Sequence, residues 1–151
     1  MIIIIEGPDG SGKTTLAKKI AEQAGYEYIH NVQPEHEGQD MAQMYDDLIK
    51  GHTNLVLDRA WYSEMAYGPT MRDHSCISYP DMYWLEKLVA KKGGMIIYCT
   101  DSVNTLWKRC QKRGEDYIKY KADFADICAA FEEIMSVPHI IPVVKYDYKD
   151  L

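Results

Sequence analysis

A glycine-rich stretch near the N-terminus, Gly7-Pro8-Asp9-Gly10-Ser11-Gly12-Lys13-Thr14, carries the clearest chemical pattern in the sequence. Its G-x4-G-K-T spacing is that of a phosphate-binding loop. A β-branched run precedes it, and a segment with helical spacing follows at once. Successive backbone N–H groups and the positive end of the helix dipole can then surround a phosphate. The stretch therefore predicts an ATP-binding phosphate loop.

The residue types within the loop suggest separate tasks. Lys13 can bridge the β- and γ-phosphates of ATP, and the Thr14 hydroxyl can hold Mg²⁺. ATP and Mg²⁺ are therefore the expected cofactors. The predicted nucleotide-binding residues are Gly7, Asp9, Gly10, Ser11, Gly12, Lys13, Thr14 and Thr15.

A second pair of charged residues, Asp58-Arg59, directly follows a predicted strand. Ligands of open α/β sheets bind at the carboxyl ends of the strands. A carboxylate there can orient Mg²⁺ or its water, and an arginine can clamp a phosphate through two parallel hydrogen bonds. The alternative is a surface ion pair at a helix start, but the phosphate loop in the same chain favours a site.

A basic cluster near the end of a predicted helix contains Lys108, Arg109, Lys112 and Arg113, and Gly114 follows it. Arg109, Lys112 and Arg113 are three and four residues apart, so they share one helix face. The cluster is either a solvated helix end that complements the helix dipole or a lid that neutralises charge on the transferring phosphoryl group. Four cations before a flexible glycine favour the lid.

The segments between these motifs alternate between strand-like and helix-like patterns, which is typical of an α/β domain with a parallel sheet. Gly68-Pro69 is expected to end the third helix, and Pro142 predicts an edge position or a strand start. The expected strands are Ile2–Ile5, Tyr26–His30, Asn54–Leu57, Met95–Cys99 and Ile140–Tyr146. The expected helices are Lys13–Ala24, Gln39–Lys50, Trp61–Tyr67, one beginning at Pro80, Val103–Arg113 and Lys121–Met135.

Size and charge narrow the class of protein. The 151 residues fit one domain, and the formal net charge of −6 argues against bulk binding of nucleic acid. No signal peptide or membrane-spanning run is apparent, so we expect a cytoplasmic protein without a membrane partner. The four cysteines are well separated and are expected to be free thiols: Cys76, Cys99, Cys110 and Cys128.

The strings IEGPDGSGKTT (Ile5–Thr15) and DRAWYSEMAYG (Asp58–Gly68) resemble the thymidylate kinase-like nucleotide kinases. Those enzymes carry E-G-x-D-G-x-G-K-T-T and D-R-x-x-x-S-x-x-A-Y in the same order, and the R-x-x-x-R-G stretch Arg109–Gly114 agrees with them. The resemblance implies a P-loop NTPase-type three-layer sandwich with a five-stranded parallel sheet of order 2-3-1-4-5. It also implies one nucleotide kinase domain over residues 1–151, with a lid at about residues 109–121.

The implied reaction is transfer of the ATP γ-phosphoryl group to a deoxynucleoside monophosphate, dTMP or a related pyrimidine. By position, Asp9 would contact the region of the sugar 3′-hydroxyl, Arg59 would hold the acceptor phosphate and Asp58 would assist the metal. Because Gly10 follows Asp9, the catalytic arginine would come from the lid, as Arg113 or Arg109. Ser63 and Tyr67 would line the acceptor site.

The sequence departs from the family where the base is read. Gln33-Pro34 stands where family members carry Glu-Pro, and the predicted helix Gln39–Lys50 contains no arginine to meet a thymine base. The identity of the base therefore stays open. The residues suspected of reading it are His30, Gln33, Tyr45, Trp61 and Arg72.

Alternative functions remain at this point. A deoxynucleoside kinase would phosphorylate a 5′-hydroxyl and need a carboxylate base, for which Glu6, Glu35 and Glu37 are candidates. A kinase of a modified base in DNA fits the acidic charge less well. A non-catalytic nucleotide-binding module would be expected to lack Lys13 or Arg59, and both are present. The expected partner is a small-molecule nucleotide substrate. Many members of the family are dimers, so the resemblance implies a homodimer as the default state.

Overall fold

Four consecutive isoleucines form the centre of a parallel sheet in this computed structural model, which describes residues 1–115 and 118–147. The strands are β1 (Ile2–Glu6), β2 (Glu27–His30), β3 (Leu55–Asp58), β4 (Gly94–Thr100) and β5 (Val143–Asp147). The helices are α1 (Lys13–Ala24), α2 (Met41–Lys50), α3 (Trp61–Arg72), α4 (Tyr79–Lys92), α5 (Val103–Arg113) and α6 (Lys121–Ser136).

The sheet has the strand order β2-β3-β1-β4-β5, and all its pairings are parallel. Side chains alternate across β1. Ile2 and Ile4 join the large core beneath α2, α3, α4 and α6, whereas Ile3 and Ile5 pack on the other face with Leu16 and further residues of α1. Helices on both faces of the sheet make three layers, so the expected fold class and strand order are confirmed.

The register of the sheet brings the two sequence motifs together. Ile5 of β1 lies opposite Asp58 of β3. The phosphate loop leaves β1 directly after Glu6, and Arg59 leaves β3 directly after Asp58. Because parallel strands end at the same edge of a sheet, both motifs meet at the carboxyl edge beside β1.

Helix α3 is longer than the sequence predicts. It passes through Pro69 and ends at Arg72, and the capping residue Asp73 has a left-handed backbone with φ of 67°. A proline removes one N–H donor, yet the remaining turns are held because Arg72 pairs with Glu64 two turns earlier. Gly68 also leaves room for the His74 carbonyl, which would lie 2.7 Å from a Cβ there.

Several smaller features agree with their local sequence. Ser78 and Asp81 form a capping box that starts α4 just before Pro80, and Pro142 directly precedes the edge strand β5. All four cysteines lie in the described ranges and are free thiols. Within those ranges, no helix is both long enough and apolar enough to cross a membrane.

Candidate active site

The phosphate loop joins β1 to α1 and depends on glycine at several turns. A Cβ on Gly7 would lie only 2.0 Å from the Cys99 carbonyl oxygen. Gly10 and Gly12 have φ of about 80°, which other residues rarely adopt. Gly12 caps α1 without a side-chain hydrogen bond, so the first N–H groups of the helix point toward the loop and suit an anion.

Lys13 is buried at the start of α1, close to the charged side chains of Asp9 and Arg59. Its Nζ lies 3.8 Å from Asp9 Oδ1. Burial, together with repulsion from Arg59, lowers the pKa of Lys13 to about 8. A bound polyphosphate would favour the charged form, so this lysine is suited to meet the phosphates of a nucleotide.

Thr14 and Asp58 form the part of the site that suits a metal. The Thr14 hydroxyl donates to Asp58 Oδ2 at 2.7 Å, and the Tyr28 hydroxyl donates to the same oxygen at 2.7 Å. Asp58 Oδ1 is buried and has no hydrogen-bond partner among the described residues. A threonine hydroxyl backed by a carboxylate with an unsatisfied oxygen fits Mg²⁺ that is carried by nucleotide phosphates.

A cavity of about 870 Å³ opens beside the phosphate loop, which is enough space for a nucleoside. The loop, the segment between β2 and α2, helix α3 and the end of α5 contribute to its lining. Among the residues predicted to bind or act on substrate, the cavity is lined by Asp9, Gly10, Lys13, Thr14, His30, Gln33, Tyr45, Arg59, Ser63, Tyr67, Arg72 and Arg113.

Arg59 is the most highly connected side chain in this cavity. Its guanidinium donates to Asp9 Oδ1 and, at 2.9 Å, to the Ser63 hydroxyl. The Tyr67 hydroxyl donates to Asp9 Oδ2 at 2.9 Å, while its ring lies 5.0 Å from the guanidinium. Burial disfavours the charge, but Tyr67, Asp9 and Glu6 outweigh it and raise the pKa of Arg59. The arginine therefore stays charged.

A second ion pair, between Glu64 and Arg72, lines the same cavity. The Glu64 side chain is 6% exposed, whereas that of Arg72 is 50% exposed. Arg72 is among the residues that the sequence suggests for reading the base, whereas Glu64 is not. The signal was available, because Glu64 lies one residue after Ser63 and eight residues before Arg72, positions that share one side of α3.

The basic cluster on α5 divides into different environments. Arg113 lines the cavity and lies 3.8 Å from Glu115, whereas Lys108 and Lys112 are exposed. Arg109 instead holds the phosphate loop, since it donates to the Gly10 carbonyl and to Asp101, each at 3.1 Å. The lid predicted at about residues 109–121 includes residues 116–117, which lie outside the described residues.

Two expectations do not match the positions of the side chains, and a third, the nucleotide contact of Thr15, stays a prediction for a residue exposed on the first turn of α1. Trp61, expected at the acceptor site, is fully buried in the core, where its ring contacts Tyr45 and Tyr62. Glu6, a candidate base, is fully buried and accepts three hydrogen bonds from Ala60 and Ser63, so it cannot reach an acceptor hydroxyl.

The fold and the phosphate loop define the class of protein, a P-loop protein of the kinase type. A family model described as "ATPase family associated with various cellular activities (AAA)" matches residues 3–58, which run from β1 through the loop to Asp58. The chain is also similar to the deoxyguanosine kinase of Bacillus subtilis (strain 168), with 25% identity over 78% of this chain and 69% of that protein.

Solved structures agree with this class. The YorR protein from Bacillus subtilis, in complex with phosphorylated GDP, superposes with a TM-score of 0.84 at 25% identity, covering 97% of this chain and 85% of that one. The deoxyadenosine kinase from M. mycoides with bound dCTP has the same fold, with a TM-score of 0.64, 22% identity, and coverage of 99% and 91%. The narrower likeness to thymidylate kinases is not confirmed.

Proposed function

We propose that the chain is a deoxynucleoside kinase, which transfers the γ-phosphoryl group of ATP to the 5′-hydroxyl of a deoxynucleoside. The observation that carries the proposal is the position of Asp9, a carboxylate in the cavity that lies between the Lys13 ammonium and the Arg59 guanidinium. The lysine can hold the transferring phosphate, so the carboxylate beside it is placed to accept the proton of the attacking hydroxyl. The similarity to deoxyguanosine kinase supports this acceptor class.

The chain's own residues account for each step of the reaction. The loop N–H groups and Lys13 bind the phosphates, and Thr14, backed by Asp58, would hold Mg²⁺. Mg²⁺ supplies positive charge that offsets the charge of the phosphates. The 5′-oxygen forms its bond to the γ-phosphorus while the bond to the bridging oxygen of ADP breaks, and the hydroxyl proton passes to Asp9. Arg113 would offset charge on the group in transfer.

The Glu64–Arg72 pair favours guanine as the base. Guanine presents two neighbouring N–H donors on one edge, which suit a carboxylate, and it presents O6 and N7 acceptors, which suit a guanidinium. Thymine offers only a single N–H donor. Glu64 and Arg72 line the cavity together, so a purine acceptor fits them better than the pyrimidine expected from the sequence.

A second candidate is a deoxynucleoside monophosphate kinase, the function that the sequence resemblance implied. The observation that favours it is the presence of four cationic side chains in the cavity lining, Lys13, Arg59, Arg72 and Arg113. An acceptor phosphate could replace Asp9 as the partner of Arg59, and its oxygens need no base. Asp9 would then serve only to bind the sugar.

The test is ADP release from Mg·ATP with each of the four deoxynucleosides and each of their 5′-monophosphates as acceptor. The proposal predicts the highest kcat/KM for deoxyguanosine, with Lys13→Ala as the inactive control. Turnover with monophosphates alone would establish the second candidate instead. Turnover with neither set, while ATP still binds, would contradict both and favour a non-catalytic nucleotide-binding module or a kinase of DNA bases.

A further inference from the structure

Glu6, the last residue of β1, is an acidic side chain inside the core, directly before the phosphate loop. Its Oε1 accepts hydrogen bonds from the backbone N–H groups of Ala60 at 2.7 Å and Ser63 at 3.1 Å, and its Oε2 accepts from the Ser63 hydroxyl at 2.7 Å. Helix α3 has no side-chain cap of its own at Ala60. Glu6 therefore lies on β1 but caps the start of helix α3, which carries the acceptor side of the cavity.

The residue before this cap, Arg59, has an unfavourable backbone. Its φ is 74°, in the left-handed region that arginine seldom occupies. Such a conformation persists only where neighbouring contacts hold it. Here the Arg59 N–H donates to the Ile5 carbonyl at 3.0 Å, and the next N–H, that of Ala60, donates to Glu6. The last two residues of β1 thus hold the backbone at Arg59 and at Ala60 through hydrogen bonds.

The Ser63 hydroxyl connects Glu6 to the guanidinium itself. It has one hydrogen, and an ionised carboxylate can only accept, so the hydrogen points to Glu6 Oε2. The oxygen lone pairs then face Arg59 Nη1, which donates to Ser63 at 2.9 Å. Both the direction of the hydroxyl and the backbone of Arg59 depend on the same carboxylate.

We propose that Glu6 is a positioning residue, which aims the Arg59 guanidinium at Asp9 and at the acceptor through the backbone of α3 and the Ser63 hydroxyl. The inference rests on the proposed function only in that Arg59 must serve the acceptor. Glu6 does not line the cavity, so it takes no part in proton transfer. Burial raises the pKa of this carboxyl, and the charge of Arg59 and the donors from Ser63 and Ala60 offset the rise only in part. The role of Glu6 as an acceptor rests on its three hydrogen bonds, all of which its two oxygens accept.

The test uses Glu6→Gln, which keeps the size of the side chain. Its amide oxygen must take the place facing two backbone N–H groups, so its NH2 group faces Ser63 and donates to the hydroxyl. The hydroxyl hydrogen then loses its carboxylate acceptor and leaves the direction that it holds in the wild type, so the Ser63 oxygen is no longer fixed against the Arg59 guanidinium. We expect kcat/KM for the best wild-type acceptor to fall roughly 10²-fold, as when a catalytic group is misplaced, while the Kd for ATP is unchanged.

A second readout needs no kinase activity. The guanidinium N–H signals of Arg59 in a ¹⁵N-labelled protein, assigned with Arg59→Lys, should move in both Glu6→Gln and Ser63→Ala. Glu86→Gln is the matched control, because it alters another fully buried carboxylate that holds α3, through the Tyr62 hydroxyl. It should leave the Arg59 signals in place even if the protein is destabilised.

The outcomes separate this inference from the proposed function. If wild-type protein shows no kinase activity, the proposed function fails, and the Arg59 signals still decide the role of Glu6. Unchanged signals and unchanged turnover in Glu6→Gln would overturn the inference. Should Glu6→Gln not fold, Ser63→Ala retains the Glu6 side chain, and unmoved Arg59 signals in that variant would overturn the hydroxyl connection. If Glu6→Gln folds, adding it to Ser63→Ala should lower kcat/KM by a smaller factor than Glu6→Gln does in the wild-type background.

Discussion

Asp9 and Arg59 lie 50 residues apart in the sequence and form an ion pair inside the cavity, where their side chains are 14% and 10% exposed. One comes from the phosphate loop and the other from the end of β3. The pair therefore joins the nucleotide side of the site to the acceptor side. Under the proposed function, each charge holds the other in the orientation that phosphoryl transfer requires.

Asp9→Asn tests the role of this carboxylate as the base. The amide oxygen can still accept from Arg59, and the NH2 group in the place of Oδ2 can donate to the Tyr67 hydroxyl oxygen, but the side chain can no longer take a proton. We expect kcat with deoxyguanosine to fall about 10²–10⁴-fold and the Kd for ATP to stay the same. Tyr67→Phe is the control, since it removes a hydroxyl that contacts Asp9 and Arg59 but leaves the carboxylate in place. Normal turnover in Asp9→Asn would assign Asp9 to sugar binding.

Lys13 predicts a pH dependence of ATP binding. Its pKa in the free protein is lowered to about 8 by burial and Arg59, and only its charged form attracts the phosphates. Affinity should therefore be constant below about pH 8 and fall as pH rises further, by up to about tenfold per unit. Calorimetric titration would measure this, and Lys13→Ala should bind weakly without that dependence. A flat profile in the wild type contradicts the assignment.

The two arginines of α5 should behave differently. Arg113 lines the cavity, and Arg113→Ala should lower kcat by about 10³-fold with little change in acceptor KM. Arg109 holds Gly10 and Asp101, so Arg109→Ala should mainly weaken ATP binding. Lys112→Ala, on the same helix and exposed, is the matched control. If kcat in all three variants equals that of the wild type, the cluster is a solvated helix end.

His139 predicts a pH dependence of stability away from the site. Its two ring nitrogens face acceptors, Glu86 Oε2 at 2.7 Å and the Ile134 carbonyl at 2.8 Å, so the doubly protonated ring satisfies both. Burial lowers the pKa of His139, but the hydrogen bond and charge of Glu86 outweigh this and raise it. The Tyr62 hydroxyl also donates to Glu86. Its own pKa is raised well above 10, so Tyr62 stays neutral and adds no negative charge beside His139.

A raised pKa in the folded state means that this stabilisation is complete below the unfolded value, about 6.5 for histidine, and is lost as pH rises through the folded value. Urea unfolding should therefore show a lower free energy of unfolding at about pH 9 than at about pH 6. His139→Gln should flatten the dependence and cost about 1.5–3 kcal/mol at the lower pH. An unchanged slope in that variant would show that other groups cause it.

The phosphate loop and the strand and helix that flank it were predictable because local rules determine them. The G-x4-G-K-T spacing requires a strand before it and a helix after it, and the structure has both. The strand order came from the family resemblance. Pro69 was misjudged because a local rule ends helices at proline, whereas the Glu64–Arg72 pair and Gly68 sustain α3 beyond it.

Side-chain roles on α3 were less predictable, since they depend on which face of the helix meets the cavity. Ser63 and Tyr67 are four residues apart and share the face beside Arg59, whereas Trp61 turns into the core. From the sequence alone, an acidic residue at the end of a buried strand, such as Glu6, can equally be interpreted as a catalytic base or as a helix cap. Only its distance to the α3 backbone distinguishes them.

The most direct test of the account is the identity of the product. Wild-type protein would be incubated with Mg·ATP and deoxyguanosine, and the products separated and identified by ³¹P spectroscopy. The account predicts deoxyguanosine 5′-monophosphate and ADP in equal amounts, and neither from Lys13→Ala. Formation of ADP with inorganic phosphate alone, or phosphorylation only when deoxyguanosine monophosphate is supplied, would contradict it.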